Sequence, residues 1–306
     1  MSVKNILWAS DGSEESLNAL RWVEVLATRY DANVIALSVF ETAKLNPSAR
    51  ADDLRREIDL IDSEITKKET RRLTQIRNAL EIKGIKAETH VATGIPHQEI
   101  VKTAHDRPID LIAMGKRGLT PWRKMRLGST TTAVLREAHV PVLTVRRTAR
   151  NIAVKKILFP TAFSPAENAA LAWAFEFARK FGAVLVLLNV MEVHKSYDAA
   201  KGGFVGRLRD SASEQLHAMA EAVPIQKRKG VNLVEKVTAF SRAWSGIVNF
   251  VRDQDIDMIV MSTHARKGAA RFFLGSIAEA VIEEAPCPVI AVPTSIGYGA
   301  NLQGVT

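Results

Sequence analysis

The sequence predicts an α/β protein made of two copies of one domain, each a doubly wound parallel sheet with helices on both faces. The chain repeats itself, and each copy alternates strand-like apolar runs with helical stretches. The strand-like runs are apolar at successive residues, as is typical of strands buried on both faces. Such alternation favours a parallel sheet, and right-handed crossovers make the doubly wound arrangement the default.

The repeat can be read directly from the sequence. KNILWASDGSEES, beginning at Lys4, aligns with KKILFPTAFSPAE, beginning at Lys155. LGSTTTAVLREAHVPVLTV (127–145) aligns with LGSIAEAVIEEAPCPVIAV (274–292), which makes the second copy four residues shorter in its middle. At about 150 residues, each copy is long enough to bury its own core. We predict a first domain over 1–148, a second over 152–294 and a flexible tail over 295–306.

The elements follow the same order in each copy. In the first copy, NILWAS predicts a strand, and Ser13 is a suitable N-cap for a helix over 14–29. Ser164, followed by Pro165, caps the corresponding helix of the second copy. NVIALSVF and AVLVLLNVM predict the second strands. In the first copy, IKAETHV, DLIAM and VPVLTV predict three further strands, with helices near 95–106 and 128–138.

A long charged segment, residues 49–83, stands between the second and third strands of the first copy. Its apolar residues keep helical spacing, namely Leu54, Ile58, Ile61, Ile65, Leu73, Ile76 and Leu80. We predict an amphipathic helix that lies on the sheet. A partner-binding coiled coil is the alternative, although the apolar stripe is short and broken at Glu69.

Composition narrows the class of protein. The 306 residues are 47% hydrophobic and 25% charged, which is typical of a globular protein, and no apolar run approaches the length of a membrane span. The N-terminus does not resemble a signal peptide, and Cys287, the only cysteine, excludes an internal disulfide. We expect a cytoplasmic protein in which Cys287 is a buried apolar residue.

The net charge of +9 favours anionic ligands. We expect no membrane partner and no specific nucleic-acid partner, because zinc-finger spacing and RNA-recognition signatures are absent from the sequence. No metal site is expected either, since the seven histidines are scattered.

The ends of the first and fourth strands are where a ligand is expected, because doubly wound folds bind ligands at the point where strand order reverses. Asp11 follows the first strand. Its carboxylate can accept hydrogen bonds from ribose hydroxyls or help to hold a metal; equally, it can cap the helix or form a turn with Gly12.

The stretch MGKRGLTPWRKMRLGSTT follows the fourth strand. Gly115 and Gly118 let the backbone approach a ligand closely, and Gly128 opens a helix whose free N–H groups suit phosphate. The spacing matches neither a Walker A loop nor a dinucleotide fingerprint. Hydroxyl donors can come from Ser129, Thr130 and Thr131. The cations of the stretch either draw in polyphosphate or form a solvated basic loop; they are Lys116, Arg117, Arg123, Lys124 and Arg126.

The spacing G-x2-G-x9-G-[ST], together with ILWASDGSEES, DLIAMGKRG and VPVLTV, resembles the universal stress protein family. RFFLGSIAEAVIEEAPCPVIAV in the second copy is also similar to it, so the resemblance covers nearly the whole chain. It implies two tandem flavodoxin-like domains (Rossmann-like, of the HUP type) with strand order 3-2-1-4-5. It also implies an intramolecular pseudo-dimer paired through the fifth strands. Members with the glycine motif usually bind ATP or AMP with little hydrolysis.

The resemblance assigns nucleotide-binding roles to twelve residues of the first copy. Ala9, Ser10 and Val39 match residues near the base, although members of the family commonly have proline at the position of Ala9. Asp11 matches the acidic residue that contacts the ribose. Met114, Gly115, Arg117 and Gly118 match the loop after the fourth strand. Gly128, Ser129, Thr130 and Thr131 match the phosphate-binding turn.

The second copy departs from this pattern. Ala162 replaces Asp11, while Ser262 and Ala265 replace Gly115 and Gly118; only Gly275 and Ser276 remain. We therefore predict one nucleotide site, in the first copy, and a second copy kept mainly for packing. The alternative is that His264, Arg266 and Lys267 hold a different anion.

We expect a regulatory stress-response protein that binds ATP, AMP or ADP, with any Mg²⁺ carried by the nucleotide. No catalytic residue is expected, because no base near Ser129 is visible in the sequence. A homodimer of the two-domain chain and a regulatory protein partner are also expected. Two alternatives remain: a slow ATPase or adenylyl-transfer enzyme, and a chaperone-like partner protein that binds no nucleotide.

Overall fold

The computed structural model describes residues 2–42, 51–118, 127–146, 152–193, 203–263 and 274–294, without the side chains of 51–53. Several predictions from the sequence fall on residues outside these ranges. They concern the 295–306 tail, the basic residues Arg123, Lys124 and Arg126, and, in the second copy, His264, Ala265, Arg266 and Lys267.

The strands and the main helices appear in the predicted order, because apolar runs alternate with amphipathic segments in both copies. The first copy contains β1 (Asn5–Ala9), α1 (Glu14–Tyr30), β2 (Asn33–Phe40), α2 (Ala51–Ile82), β3 (Ala87–Thr93), α3 (Pro96–Asp106), β4 (Leu111–Gly115), α4 (Ser129–Glu137) and β5 (Val142–Val145). The second contains β6 (Lys156–Pro160), a 3-10 turn (Pro165–Glu167), α5 (Asn168–Phe181), β7 (Val184–Glu192), α6 (Phe204–Glu221), α7 (Ile225–Arg228), β8 (Asn232–Phe240), α8 (Ala243–Asp253), β9 (Met258–Ser262), α9 (Ser276–Glu284) and β10 (Val289–Val292).

The ten strands form one sheet in the order β3-β2-β1-β4-β5-β10-β9-β6-β7-β8. The predicted α/β fold is confirmed, and each copy has the order 3-2-1-4-5. Neighbouring strands run parallel except at the seam, where β5 and β10 pair antiparallel with Leu143 opposite Ile290. An apolar core covers each face of the sheet, and both cores contain residues of both copies. The two copies are therefore packed as one unit.

Both predicted N-cap residues make a capping hydrogen bond, but Ser13 caps an α-helix and Ser164 caps a short 3-10 turn. Ser13 Oγ accepts from Ser16 N at 3.2 Å and starts α1 directly. Ser164 Oγ accepts from Ala166 N at 3.3 Å and starts the 3-10 turn that precedes α5. The first turn of the second copy's helix is therefore wound more tightly than its counterpart in the first copy.

Helix α2 extends beyond the sheet that it covers. Its 32 residues span about 48 Å, whereas a seven-residue strand such as β3 spans only about 23 Å. Leu73 and Leu80 are fully buried, but Leu54 and Ile61 are 42% and 49% exposed. The prediction of a helix is confirmed, and the prediction that it lies on the sheet is wrong for its N-terminal half.

No helix within the described ranges combines the length and apolar composition that a membrane span requires.

Candidate functional site

A cleft of about 940 Å³ opens at the carboxyl ends of the strands, where the chain order reverses between β1 and β4. All twelve residues predicted for the nucleotide site line it, namely Ala9, Ser10, Asp11, Val39, Met114, Gly115, Arg117, Gly118, Gly128, Ser129, Thr130 and Thr131. They come together because β1, β2 and β4 end at the same edge and α4 begins beside them. Their role in binding stays a prediction.

Sequence reasoning missed further lining residues. These are Ser13, Glu14, Glu15, Ser16, Leu37, Pro96, Ile100 and Leu127. The first four form the cap and first turn of α1, which enter the cleft because α1 begins directly after the β1 loop. Pro96 was visible in the sequence as a helix start, and that start follows β3 at the same edge of the sheet.

One end of the cleft is apolar. Ala9 and Met114 are 7% and 5% exposed, and Leu37 and Ile100 lie in the same buried cluster. Val39 packs against that cluster and is only partly buried. Such a surface can accept the flat apolar face of a ring.

Asp11 forms the local turn that the sequence offered as one alternative, and its role toward a ligand stays a prediction. Its Oδ1 accepts a hydrogen bond from Ser13 N at 3.0 Å, which is the turn that the local alternative predicted. The residue is also exposed and lines the cleft. A Cβ on Gly118 would lie 2.6 Å from Asp11 Oδ2. Gly118 therefore leaves room for this carboxylate.

Gly115 serves a purpose that the sequence did not reveal. A Cβ at this position would lie 2.9 Å from two backbone atoms of α1, the carbonyl carbon of Glu15 and the nitrogen of Ser16. The expectation that Gly115 gives a ligand room is therefore corrected, because the first turn of α1 occupies that space.

The loop after β4 is fastened to α1. Glu15 Oε2 accepts a hydrogen bond from Arg117 N at 2.6 Å. Burial raises the pKa of Glu15, and this hydrogen bond partly opposes the rise. The backbone of Arg117 is thus positioned by the first turn of α1.

The N-terminus of α4 faces the cleft. Gly128 is its N-cap and provides no side-chain hydrogen bond, so it cannot satisfy the first N–H groups of the helix. Ser129 is exposed. Thr131 is 3% exposed, and its Oγ1 donates to Gly115 O at 3.0 Å. The expectation of a hydroxyl donor for phosphate is therefore wrong for Thr131, whose hydroxyl ties α4 to β4.

Lys116 is fully buried and points away from the cleft. Its Nζ donates to Ala285 O, at the end of α9 in the second copy, at 3.1 Å. Burial lowers its pKa to about 8. The interpretation of Lys116 as a polyphosphate-attracting residue is wrong, because the β5–β10 seam brings the second copy over it. Nearby Cys287 is partly buried, and burial raises its pKa to about 12.

The corresponding loop of the second copy is closed by a carboxylate. Glu167 stands where the first copy has Ser16 and is 4% exposed. It accepts hydrogen bonds from Thr161 Oγ1 at 2.5 Å and from Ala162 N at 3.2 Å. Burial raises its pKa. The loop keeps the backbone turn of the first copy, since Phe163 has φ +61° where Gly12 has φ +79°.

No cluster of three or more His, Cys, Asp or Glu side chains suited to a metal ion occurs within the described ranges.

Comparison with known proteins gives a consistent result. The family model described as the universal stress protein family matches residues 2–146 and again residues 153–293. Universal stress protein MJ0577 of Methanocaldococcus jannaschii is 32% identical over 154 residues, which cover 47% of this chain and 95% of that protein.

One further relative and one solved structure match the chain over nearly its full length. A universal stress protein of Mycolicibacterium smegmatis is 25% identical over 296 residues, covering 94% of this chain and 96% of that protein. The crystal structure of a universal stress protein from Archaeoglobus fulgidus has a TM-score of 0.73 at 23% identity. That match covers 96% of this chain and all of the other, and it shows the shared fold.

Proposed function

The chain belongs to the universal stress protein family, and from this premise we propose that its first copy binds one adenine nucleotide in the cleft between β1 and β4. The observation that carries the proposal is the convergence of the twelve predicted residues on that one cleft. ATP is the ligand that we expect, with ADP and AMP as shorter forms.

The chemistry of the cleft matches the parts of a nucleotide in order. The apolar end, formed by Ala9, Val39 and Met114, suits the base. Asp11 is exposed at the end of β1, where its carboxylate can accept hydrogen bonds from ribose hydroxyls. The N-terminus of α4 suits the phosphates, because its N–H groups and positive dipole end favour anions.

The rest of the proposal concerns what the nucleotide does. We propose a regulatory stress-response protein of the cytoplasm without substantial turnover, in which any Mg²⁺ comes with the phosphates. Nucleotide occupancy would change how the chain associates with a second copy or with a protein partner. Phosphate release above background that disappears with Ser129→Ala or Asp11→Ala would contradict the absence of turnover.

Calorimetric titration with ATP tests the site. The wild type should bind about one ATP per chain. Asp11→Ala combined with Gly118→Ala installs the residues of the second copy, and it should weaken binding by about tenfold or more, because a charge-assisted hydrogen bond is lost. Ser276→Ala, at the second-copy position of Ser129, is the matched control and should change neither affinity nor stoichiometry.

Two results would contradict the assignment of the nucleotide site. One is an ATP affinity that the double variant leaves unchanged; the other is no measurable ATP binding by the wild type. Mass spectrometry of the protein as isolated gives an independent check, because a co-purifying adenine nucleotide is expected.

A further inference from the structure

A half-buried ion pair lies beneath the loop that carries Asp11. Arg72 and Glu69, both on α2, have side chains only 24% and 20% exposed. Glu69 Oε2 accepts from Arg72 Nη2 at 2.6 Å and from Arg72 Nε at 2.9 Å. Ser38 Oγ, near the end of β2, also donates to Glu69 Oε2 at 2.9 Å. Neither charged residue contributes to the cleft lining described above.

The ion pair is connected to the β1 loop through one hydroxyl. Arg72 Nη1 donates to Ser10 Oγ at 3.0 Å, and Gly12 N donates to the same oxygen at 3.3 Å. A Cβ on Gly12 would lie 3.9 Å from the guanidinium carbon of Arg72. The guanidinium therefore supports the loop through Ser10 Oγ, which also accepts a hydrogen bond from the backbone N–H of the residue after Asp11.

The direction of each hydroxyl in this network can be worked out. Ser16 Oγ donates to Ser13 O at 2.8 Å, so its proton is already used. Ser10 Oγ lies 3.3 Å from Ser16 Oγ and must be the donor in that pair. Each group donates to the next, from Arg72 to Ser10, from Ser10 to Ser16 and from Ser16 to the carbonyl oxygen of Ser13. A chain of hydrogen bonds that point the same way is polarised along its length. It links α2 to the N-cap of α1.

The second copy lacks the ion pair at the same place. Met219 Sδ lies 3.5 Å from Thr161 Oγ1, where the first copy has Arg72 beside Ser10. Leu216 stands three residues earlier on α6, as Glu69 does on α2, and is 1% exposed. The hydroxyl of Thr161 donates instead to Glu167. The Arg72–Glu69 pair is therefore replaced by apolar residues at the matching positions of α6, and Glu167 holds the loop of the second copy instead.

We propose that Arg72 is a positioning residue for the nucleotide site, which holds the Ser10–Gly12 loop so that Asp11 can select a ribose bearing free hydroxyls. This inference rests on the proposed function. Arg72 acts through Ser10, the residue directly before Asp11. Its loss should loosen recognition of the sugar more than recognition of the base or of the phosphates.

The test compares two ligands that differ only in the sugar. ATP and 2′,3′-dideoxy-ATP are titrated into the full chain, and the ratio of their dissociation constants measures ribose recognition. The wild type should prefer ATP by about tenfold, the usual scale for a hydrogen bond to a charged group. Arg72→Met combined with Glu69→Leu installs the second copy's residues without leaving an unpaired charge, and it should bring the ratio close to one.

Two companion variants separate positioning from general stability. Arg77→Met with Glu81→Leu makes the same change in a more exposed pair of α2, 3.7 Å apart, and should keep the wild-type ratio. Arg72→Lys keeps the charge, but a single ammonium cannot reproduce the fork that reaches Ser10 and Glu69 together. It should fold and give an intermediate ratio.

Each outcome has a distinct meaning. A ratio that falls in the Arg72 variants and holds in the control supports the proposal. Equal losses of affinity for both nucleotides, with the ratio unchanged, would overturn it and leave the nucleotide site intact. Absence of ATP binding by the wild type would overturn the proposed function and this inference together.

Discussion

The two copies share a backbone and differ at the entrance to their first helix. In the first copy, α1 begins at once after Ser13, and its backbone fills the space beside Gly115. In the second, a 3-10 turn comes first, and Ser262 stands where Gly115 does. Loss of the glycines in the second copy therefore has two causes. Gly118 leaves room for the carboxylate of Asp11, which the second copy lacks, whereas Gly115 leaves room for the backbone of α1.

The glycine that both copies keep supports this division. A Cβ on Gly275 would lie 3.1 Å from Thr263 O, and one on Gly128 would lie 3.4 Å from Lys116 O. The position is crowded by backbone in each copy, so glycine is retained even where the other site residues are lost.

Replacing Lys116, which has Thr263 as its counterpart, should produce the largest effect. Its pKa is about 8 in the folded state and 10.5 ordinarily, so between these values only the unfolded chain holds the proton. The free energy of unfolding should therefore rise between pH 8 and pH 10.5, because the unfolded chain binds a proton that the folded chain does not. Relative to Lys116→Met, the wild type should gain up to about 3 kcal/mol from pH 8 to 10.5.

Urea unfolding of both proteins at several pH values measures this difference. Lys83→Met, which removes an exposed lysine paired with Glu24 at 2.7 Å, is the control and should follow the wild-type curve. A difference between wild type and Lys116→Met that stays constant with pH would contradict the lowered pKa of Lys116 in the folded chain.

Gly115→Ser brings the second copy's residue into the first. We expect a loss of about 2 kcal/mol in the free energy of unfolding, because the new Cβ would overlap the backbone of α1. The reverse change, Ser262→Gly, should cost less, about 1 kcal/mol, because it removes a partly buried side chain and adds chain flexibility without forcing atoms together. Equal losses in the free energy of unfolding for the two variants, measured in urea, would contradict the difference between the two helix starts.

Gly118→Ala should act on the ligand and leave stability almost unchanged. Its Cβ would meet the exposed carboxylate of Asp11, which can move aside, so the free energy of unfolding should hold. Displacement of Asp11 should weaken ATP binding by about tenfold, equal to about 1.4 kcal/mol. Calorimetry and urea unfolding of the same sample check both halves of this prediction.

The smallest difference should come from the two N-caps. Ser13→Ala removes the hydroxyl that caps α1 and should cost about 1 kcal/mol. Ser164→Ala removes the cap of a three-residue 3-10 turn and should cost less. Thermal or urea unfolding that ranks the two variants in the opposite order would contradict this comparison.

Most of the fold was predictable because periodicity and repetition are properties of the sequence itself. Strand and helix bounds agree with the prediction to within a few residues, and Ser13 caps α1 as expected, whereas Ser164 caps the 3-10 turn that precedes α5. The length of α2 was predicted too. Its overhang was not, because the sequence does not state how far a helix extends past the strands beneath it.

Three features of the site could not be read from the sequence, because each depends on a partner from a distant segment. Lys116 stands between residues of a glycine-rich loop and looks exposed until the β5–β10 seam places Ala285 against it. Arg72 lies on a charged helix, and only the packing of α2 shows that it faces the β1 loop. The clash at Gly115 requires knowing where α1 begins.

The seam also explains how such unequal copies can coexist. A two-fold symmetric dimer uses the same surface on both subunits, so every contact occurs twice. Two separate chains like the first copy would have to bury two lysine ammoniums, one on each side of the axis. Fusion into one polypeptide lifts that obligation, because Lys116 meets Ala285 once while Thr263 occupies the reciprocal position. Within one chain, the two halves of the seam can therefore carry different residues at matching positions.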